Sequence, residues 1–320
     1  MHAVTVQGRW AWGVSGLLAA AALAVPGTRL IVSEKSPWNT ASPTAVTVRT
    51  VAVTQPVTSL LVQSYGGRVR VAAGQVSHVQ VTERIVYEPK AGLPAVAESV
   101  SGGRLSLGDP ACAQADCAVD FTVTVPSAVS VTVDTQGGPA IVSAISGATG
   151  TTVDSGGGPV QVMQVTGPLT VRTGGGPLIM NDVAGPIRAD TSGGVLTARE
   201  VTASTASLST GGGPAEVAFA AAPDTVNLST GGGPVNLRLP GGPYALTADS
   251  DGGPELIQIA TDPAARASIR VTSGGGPILV ASASDSGSAS ASDSGSASAS
   301  DSGSAAASGP PPLFAPADAG

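Results

Sequence analysis

The chain has 320 residues, a formal net charge of −7, 43 Gly and 25 Pro, yet only 2 Cys, 2 His and three each of Trp, Tyr and Phe. With 12% charged residues and few aromatics, any core must be aliphatic, and the wealth of Gly and β-branched residues argues against a helical bundle and for many short strands. Scarce His and Cys leave little for acid/base or metal chemistry. The 15 basic residues are scattered, so the concentrated patch that nucleic acid requires is missing.

The first feature in chain order is Trp10 to Val25, WAWGVSGLLAAAALAV, preceded by Arg9 and followed by PGTRLIV. This apolar run predicts one N-terminal hydrophobic helix within residues 1–32, inserted in or crossing the cytoplasmic membrane. Ala22-Leu23-Ala24 also has the small-x-small form that a signal peptidase accepts. The expected location is therefore a single-pass membrane protein with its C-terminal domain outside the cytoplasm, or a protein secreted after cleavage. Residues 33–44 read as a polar linker.

Two-residue alternation predicts strands at Ala45–Val53, Ser59–Tyr65, Arg68–Ala72, His78–Tyr87, Gly103–Leu107 and Ala118–Val125. Residues 45–125 thus read as an antiparallel strand region, with Gly66-Gly67 as a tight turn. Cys112 and Cys117, separated by AQAD, read as a disulfide stapling one local loop at a hairpin end. Their spacing fits neither a redox CxxC centre nor a zinc knuckle.

Residues 126–280 carry a repeat. TQGGP at 135–139 is followed by SGGGP, TGGGP, TSGGV, TGGGP, TGGGP, SDGGP and SGGGP, the fifth positions stepping by 20, 18, 18, 19, 20, 20 and 23 residues. Such a period with alternation inside it predicts an all-β, short-repeat β-solenoid of about seven or eight coils of 18–20 residues. The expected inward files are Val133, Val153, Val171, Ala189, Leu208, Leu228, Ala248 and Val271, and one step earlier Val131, Thr151, Leu169, Ile187, Ala206, Val226, Leu246 and Ile269. On the other side the expected file is Ile141, Val162, Met180, Ala198, Val217, Leu237 and Ile257.

At the same phase before each corner stand Thr135, Ser155, Thr173, Thr191, Thr210, Thr230, Ser250 and Ser273. These hydroxyls are expected to satisfy the backbone where strand meets corner; an array that engages a repeating ligand is the alternative. The glycines are expected to serve corners that need φ > 0. After Val280 the composition shifts to ASASDSG copies, and 281–320 read as a disordered Ser/Ala/Asp/Gly-rich tail.

The block from Val123 to Leu178, with its lead-in Val125-Pro126, Val129 and Val131 and its phased glycine corners, resembles the bacterial "putative adhesin" β-solenoid family. The likeness covers about residues 45–280; the Gly-Pro corners depart from the family's usual Asn/Ser-Gly-Asp. The resemblance implies an envelope-associated, non-catalytic protein. The function expected is a cell-envelope binding or scaffolding module whose partner is an envelope glycan or surface protein, with no cofactor, no metal, no catalytic residue and no nucleic acid. The alternatives are a polysaccharide-processing β-helix enzyme, for which Asp182 and Glu200 are candidate carboxylates, and a purely structural envelope protein.

Overall fold

The computed structural model describes residues 30–32, 44–113, 116–147 and 149–283. The expected N-terminal hydrophobic helix, up to residue 29, and the expected Ser/Ala/Asp tail, from residue 284, lie outside the described residues, while Ala281 and Ser282 belong to the last strand; no helix among the described residues is long and apolar enough to cross a membrane. The chain forms β1 (Leu30–Val32), β2 (Ala45–Val53), β3 (Ser59–Ser64), β4 (Val69–Ala73), β5 (Val79–Tyr87), β6 (Ala97–Ser101), β7 (Arg104–Gly108) and β8 (Cys117–Val125). The repeats follow as β9 (Ser130–Thr135), β10 (Ala140–Ser143), β11 (Thr151–Ser155), β12 (Val160–Thr166), β13 (Leu169–Thr173), β14 (Leu178–Ala184), β15 (Ile187–Thr191) and β16 (Leu196–Val201). The remainder are β17 (Thr205–Thr210), β18 (Ala215–Phe219), β19 (Thr225–Thr230), β20 (Val235–Leu239), β21 (Ala245–Asp249), β22 (Glu255–Gln258), β23 (Ser268–Ser273) and β24 (Ile278–Ser282).

These strands build a 13-stranded and an 11-stranded sheet, and from β7 onward the chain alternates between them. One strand of the shorter sheet, a glycine corner and one strand of the longer sheet make a rung, and like strands of successive rungs pair in parallel. This is the predicted β-solenoid.

Stacking order departs from chain order at both ends. The β3–β4 rung lies directly against the β9–β10 rung, while β7 and β8 form a rung outside it. At the far end β23 and β24 sit between the β19–β20 rung and the outermost β21–β22 rung. Backbone pairing is indifferent to sequence, so any coil in phase can stack on any other. The DPAARA segment at 262–267 is the return path: the Tyr244 N–H donates to Ala260 O and the Asp262 N–H to Tyr244 O on one side of the rung, and the Ala245 N–H donates to Ala267 O on the other.

The 45–125 region is therefore mixed. β2, β5 and β6 are antiparallel to their neighbours, but β3, β4, β7 and β8 also belong to parallel rungs, so Gly66-Gly67 is a solenoid corner between the two sheets and not a hairpin. β1 pairs antiparallel with β2. Leu30–Val32, expected from the sequence at the end of the hydrophobic segment, is strand in the structure, and the rest of that segment lies outside the described residues. The other strand expectations hold within a residue or two, and β6 was not foreseen.

The inward files form as predicted in the shorter sheet, where Val133, Val153, Val171, Ala189, Leu208, Leu228, Val271 and Ala248 stack in register. Each rung that buries a Val or Leu there gains about 1.5–3 kcal/mol. In the longer sheet the expected Ile141 is one residue off: Ile141 pairs with Gln161 on the outer face, and Val142 is the buried partner of Val162. The four-residue β10 gave alternation too short to fix its parity.

A third inward file was not foreseen. Gln164, Asp182 and Glu200 have φ of 53°, 53° and 52°, and Ala144 of 59°. Each sits in a bulge that puts two outward residues between inward ones, bringing Ile145, Val165, Val183 and Val201 into the core. From β18 onward the bulge disappears: Arg199 and Glu200 oppose only Ala218, and Phe219 takes the inward place beside Val201. The two steps of 18 belong to bulged strands with a short Gly-Pro second corner, and the two later steps of 20 to regular strands with longer corners at 220–224 and 240–243.

The expected positive φ is found at the middle glycine of three corners, Gly232, Gly252 and Gly275, while the third position of the cluster departs from that expectation. The third position of the cluster is Gly for close approach rather than positive φ. A Cβ on Gly176 would stand 2.2 Å from Gly158 O, one on Gly194 2.1 Å from Gly176 O, and one on Gly213 2.2 Å from Gly194 O. At the middle position of these same corners a Cβ meets open space, as at Gly175. The following proline begins the longer sheet where its missing N–H is not needed, and its carbonyl accepts from the neighbouring rung, as Val160 N–H donates to Pro177 O at 2.9 Å.

Two stability outcomes follow from this packing. Gly176→Ala should cost more than about 2 kcal/mol because rigid backbone lies in the way, whereas Gly175→Ala should stay within about 1 kcal/mol of the parent; chemical denaturation of the two variants separates them, and equal losses would refute the close-approach account. Thr151, inward between Val131 and Leu169, has a buried hydroxyl with no partner. Thr151→Val should raise stability by about 1 kcal/mol, and a loss of stability in thermal melts would contradict that.

Candidate functional site

The Ser/Thr file is structural. Each side chain is buried, and Thr135, Ser155, Thr173, Thr191, Thr210 and Thr230 donate to the carbonyl three residues on, at 2.6–3.1 Å. Ser250 does the same to Gly253, and Ser273 accepts from the Gly276 N–H at 2.9 Å while donating to Gly233 O. None of these hydroxyls is presented to a ligand. The file continues into the first rung through Ser64, which pairs with Thr135, a member hidden in the sequence because SYGG lacks the proline.

Asp109 ends that file. Gln63 pairs with Gly108, so Asp109 stands next to Ser64, fully buried, accepting the Tyr65 N–H at 3.0 Å and the Ser64 hydroxyl at 3.4 Å. Beyond it the corner is replaced by a 3-10 turn, Pro110–Ala113, and the Cys112–Cys117 disulfide, with Cα atoms 5.2 Å apart. The predicted bridge is present, but it staples an inter-sheet corner rather than a hairpin end, since β7 and β8 lie in different sheets.

Desolvation pushes the Asp109 carboxyl above its ordinary 3.8, against the lowering effect of its hydrogen bonds. The folded chain therefore binds this proton more tightly than the unfolded chain does. Its contribution favours folding most at acid pH, weakens as pH rises from the unfolded to the raised folded value, and is constant above that. Asp109→Asn keeps an acceptor for Tyr65 without the buried charge. It should remove this part of the acid-side dependence and leave the variant at least as stable at pH 7. Denaturation midpoints from pH 3 to 7 check this, and an unchanged slope would remove Asp109 as its source.

A second cluster, built around the buried Glu83 with the Arg49 side chain 43% exposed, closes the same end of the stack. Arg49 on β2 donates to both oxygens of the fully buried Glu83 on β5, at 2.9 and 3.2 Å, and to Glu98 on β6 at 3.2 Å, thereby bridging the two sheets. Burial raises the Glu98 carboxyl, Arg49 lowers it and Glu83 raises it again. The sequence offered no signal for this triad, whose members lie far apart in the chain.

The candidate carboxylates Asp182 and Glu200 do lie at one phase on adjacent rungs, flanked by the pairs Asn181↔Arg199 and Val183↔Val201. Both occupy the left-handed bulge position and are exposed on its outer side. Among the described residues no group of three or more His, Cys, Asp or Glu could hold a metal ion.

The candidate binding surface is the outer face of the shorter sheet. One outward file runs Asp134, Asp154, Arg172, Asp190, Ser209 and Ser229, and its neighbour runs Thr132, Thr152, Thr170, Arg188, Ser207 and Asn227. Side chains recur every rung, about 4.8 Å apart. A shallow depression of about 380 Å³ lies over this strip, lined by Asp134, Gln136, Asp154, Arg172, Asp190 and Ser192. Arg172 reaches Asp154 at 3.8 Å with both side chains largely exposed, so the pair contributes at most about 1 kcal/mol to folding and opens readily to a ligand.

No protein-family model and no curated protein matches the chain. Solved bacterial structures do resemble it. A "putative adhesin" from Parabacteroides distasonis aligns at a TM-score of 0.50 with 14% identity, over 73% of this chain and 96% of that one. A "putative adhesin" from Bacteroides fragilis aligns at 0.45 with 13% identity, over 74% and 96%. At 14% identity the likeness to the Parabacteroides distasonis structure shows a shared fold.

Proposed function

We propose that the chain is a cell-envelope β-solenoid that works by binding rather than catalysis, an adhesin-type module held at the membrane by its N-terminal apolar segment and displayed outside it. The observation that carries this reading is the outward polar strip on the shorter sheet, with carboxylates, a guanidinium and hydroxyls at a fixed one-rung interval on a rigid backbone. Such an array suits a polymer with repeating hydroxyls, because bidentate Asp and Arg groups hydrogen-bond vicinal hydroxyls and a flat rigid face loses little entropy on binding. The shared fold with bacterial proteins described as putative adhesins supports the same reading. The partner is accordingly an envelope polysaccharide, with a surface protein as the competing occupant.

The full chain in detergent, applied to an array of bacterial envelope glycans, should bind saturably and release no product. Asp154→Asn with Arg172→Gln should weaken binding at least tenfold with little change in melting temperature. Binding untouched by this pair would displace the site from the strip. Turnover of a bound glycan, abolished by changing Asp182 or Glu200, would replace the binding reading with the enzymatic one.

A further inference from the structure

The two ends of the stack are built differently. At the end formed by β1, β2, β5 and β6, inward-pointing Arg49, Glu83 and Glu98 occupy the space between the sheets. Glu98 lies on the edge strand β6, and Arg49 lies on β2 just past the Val46–Val48 stretch that β1 covers; inward charge at a sheet edge is a recognised means of preventing edge-to-edge pairing. At the other end the outermost strands are β21 and β22. Their inward side chains, Leu246, Ala248 and Ile257, remain partly exposed because no further rung covers them among the described residues.

The unpaired backbone groups can be identified. Ala245 donates toward β23 and Tyr244 to the opposite side, so alternation turns the N–H and C=O groups of Leu246 and Ala248 to the open end. Pro254 accepts from Ile278 of β24, so on β22 it is Glu255 and Ile257 that turn outward. The corner between the strands is closed by Glu255, whose carboxylate accepts the Ser250 N–H at 2.8 Å, and the start of β21 by its bridge to Thr261. Between these closures the edge is open and apolar. It continues onto the side of the longer sheet as a groove of about 600 Å³ lined by Pro254, Leu256, Pro277 and Leu279.

We propose that this end binds a second copy of the chain, open end to open end, as a closed two-fold dimer. A two-fold axis along the sheet normal runs the strands antiparallel. Centred on Thr247, it lets Leu246 exchange hydrogen bonds with Ala248 of the second copy. Centred on Leu256, it pairs Glu255 with Ile257 and sets the two Leu256 side chains, each 53% exposed, against each other. Thr247 and Leu256 stand five and four residues from Gly252 at the corner, so one axis serves both sheets. The pairing is compatible in charge, because Asp249 faces Ala245 and Glu255 faces Ile257, with no like charges opposed. Because the other end carries inward charge, the contact closes as a dimer and does not propagate into a filament. This surface is distinct from the polar strip and stands whether or not the strip binds a glycan.

Cross-linking tests it. The two native cysteines are joined to each other, so Thr247→Cys supplies the sole free thiol, at a non-hydrogen-bonded antiparallel position where Cα atoms lie about 4.5 Å apart. The full-length Thr247→Cys protein in detergent should form a covalent dimer under mild oxidation, while Thr152→Cys, outward in mid-stack, should give no covalent dimer. Light scattering of the parent should give a dimer that Ile257→Lys converts to monomer. A monomeric parent at about 100 μM, larger open-ended assemblies, or a dimer that survives Ile257→Lys would each overturn the proposal. If Ile257→Lys fails to fold, hydrogen exchange decides on the parent: the Leu246 and Ala248 amides should gain protection as concentration rises, and protection independent of concentration overturns the proposal.

Discussion

Backbone contact at the glycine corner sets the geometry on which the rest of the molecule depends. Where the chain leaves the shorter sheet, the third glycine of one cluster lies under the carbonyl of the preceding cluster, so closely that a single methyl group would collide with it. Every rung must therefore turn at the same place, and once it does, the residue three positions earlier is held where its hydroxyl reaches the turn carbonyl. The proline that follows then starts the longer sheet in a fixed direction. The inward files are a consequence: identical corners put Val on Val and Leu on Leu without any need for large or aromatic side chains, which this composition lacks. The hydroxyl file and the glycine file are thus two parts of one device. Neither is free to serve a ligand.

That division explains how much the sequence could disclose. Phase was legible because the corner repeats a chemical pattern, and from it the inward residues of the shorter sheet follow directly. Stacking order was not legible, since parallel backbone hydrogen bonding carries no address; the DPAARA segment marked an irregularity without revealing that the chain crosses its own outermost rung there. The bulges at Gln164, Asp182 and Glu200 were hidden for another reason. Nothing in those side chains announces a positive φ, and it is the paired departure of register opposite Ala218 that exposes them. The cluster of Arg49, Glu83 and Glu98 lay furthest from sequence reasoning, because three long-range contacts must form before it exists.

The outward residues obey different constraints. On the shorter sheet they alternate with buried files, so their positions are fixed by the core while their identities are not. The change from Asp134 and Asp154, through Arg172 and Asp190, to Ser209 and Ser229 along a single file has no effect on the inner packing. Two neighbouring aspartates in one ladder repel and weaken the fold slightly. A sheet selected for stability alone would interleave opposite charges there, as Arg172 does beside Asp154. The strip therefore retains a small electrostatic cost that its own rungs do not require, which the proposed binding role accounts for.

The two ends of the stack extend the same argument to the backbone. A solenoid must finish somewhere, and each terminal rung leaves a row of donors and acceptors that water or a partner must satisfy. One end meets this requirement with antiparallel strands, an ion cluster around the buried Glu83 and a disulfide-bearing corner, all supplied by residues before Val125. The other end uses its final coil differently. Instead of capping the stack, the chain lays β21 and β22 outermost and returns inward, so that β23 and β24 are enclosed on both sides. This arrangement protects the last segment of the fold from fraying, since it can leave only after the outer rung has opened. It also transfers the exposed edge to a rung held at its corner by Glu255 and at its start by the Tyr244–Thr261 bridge, which keeps that edge ordered while leaving its centre open.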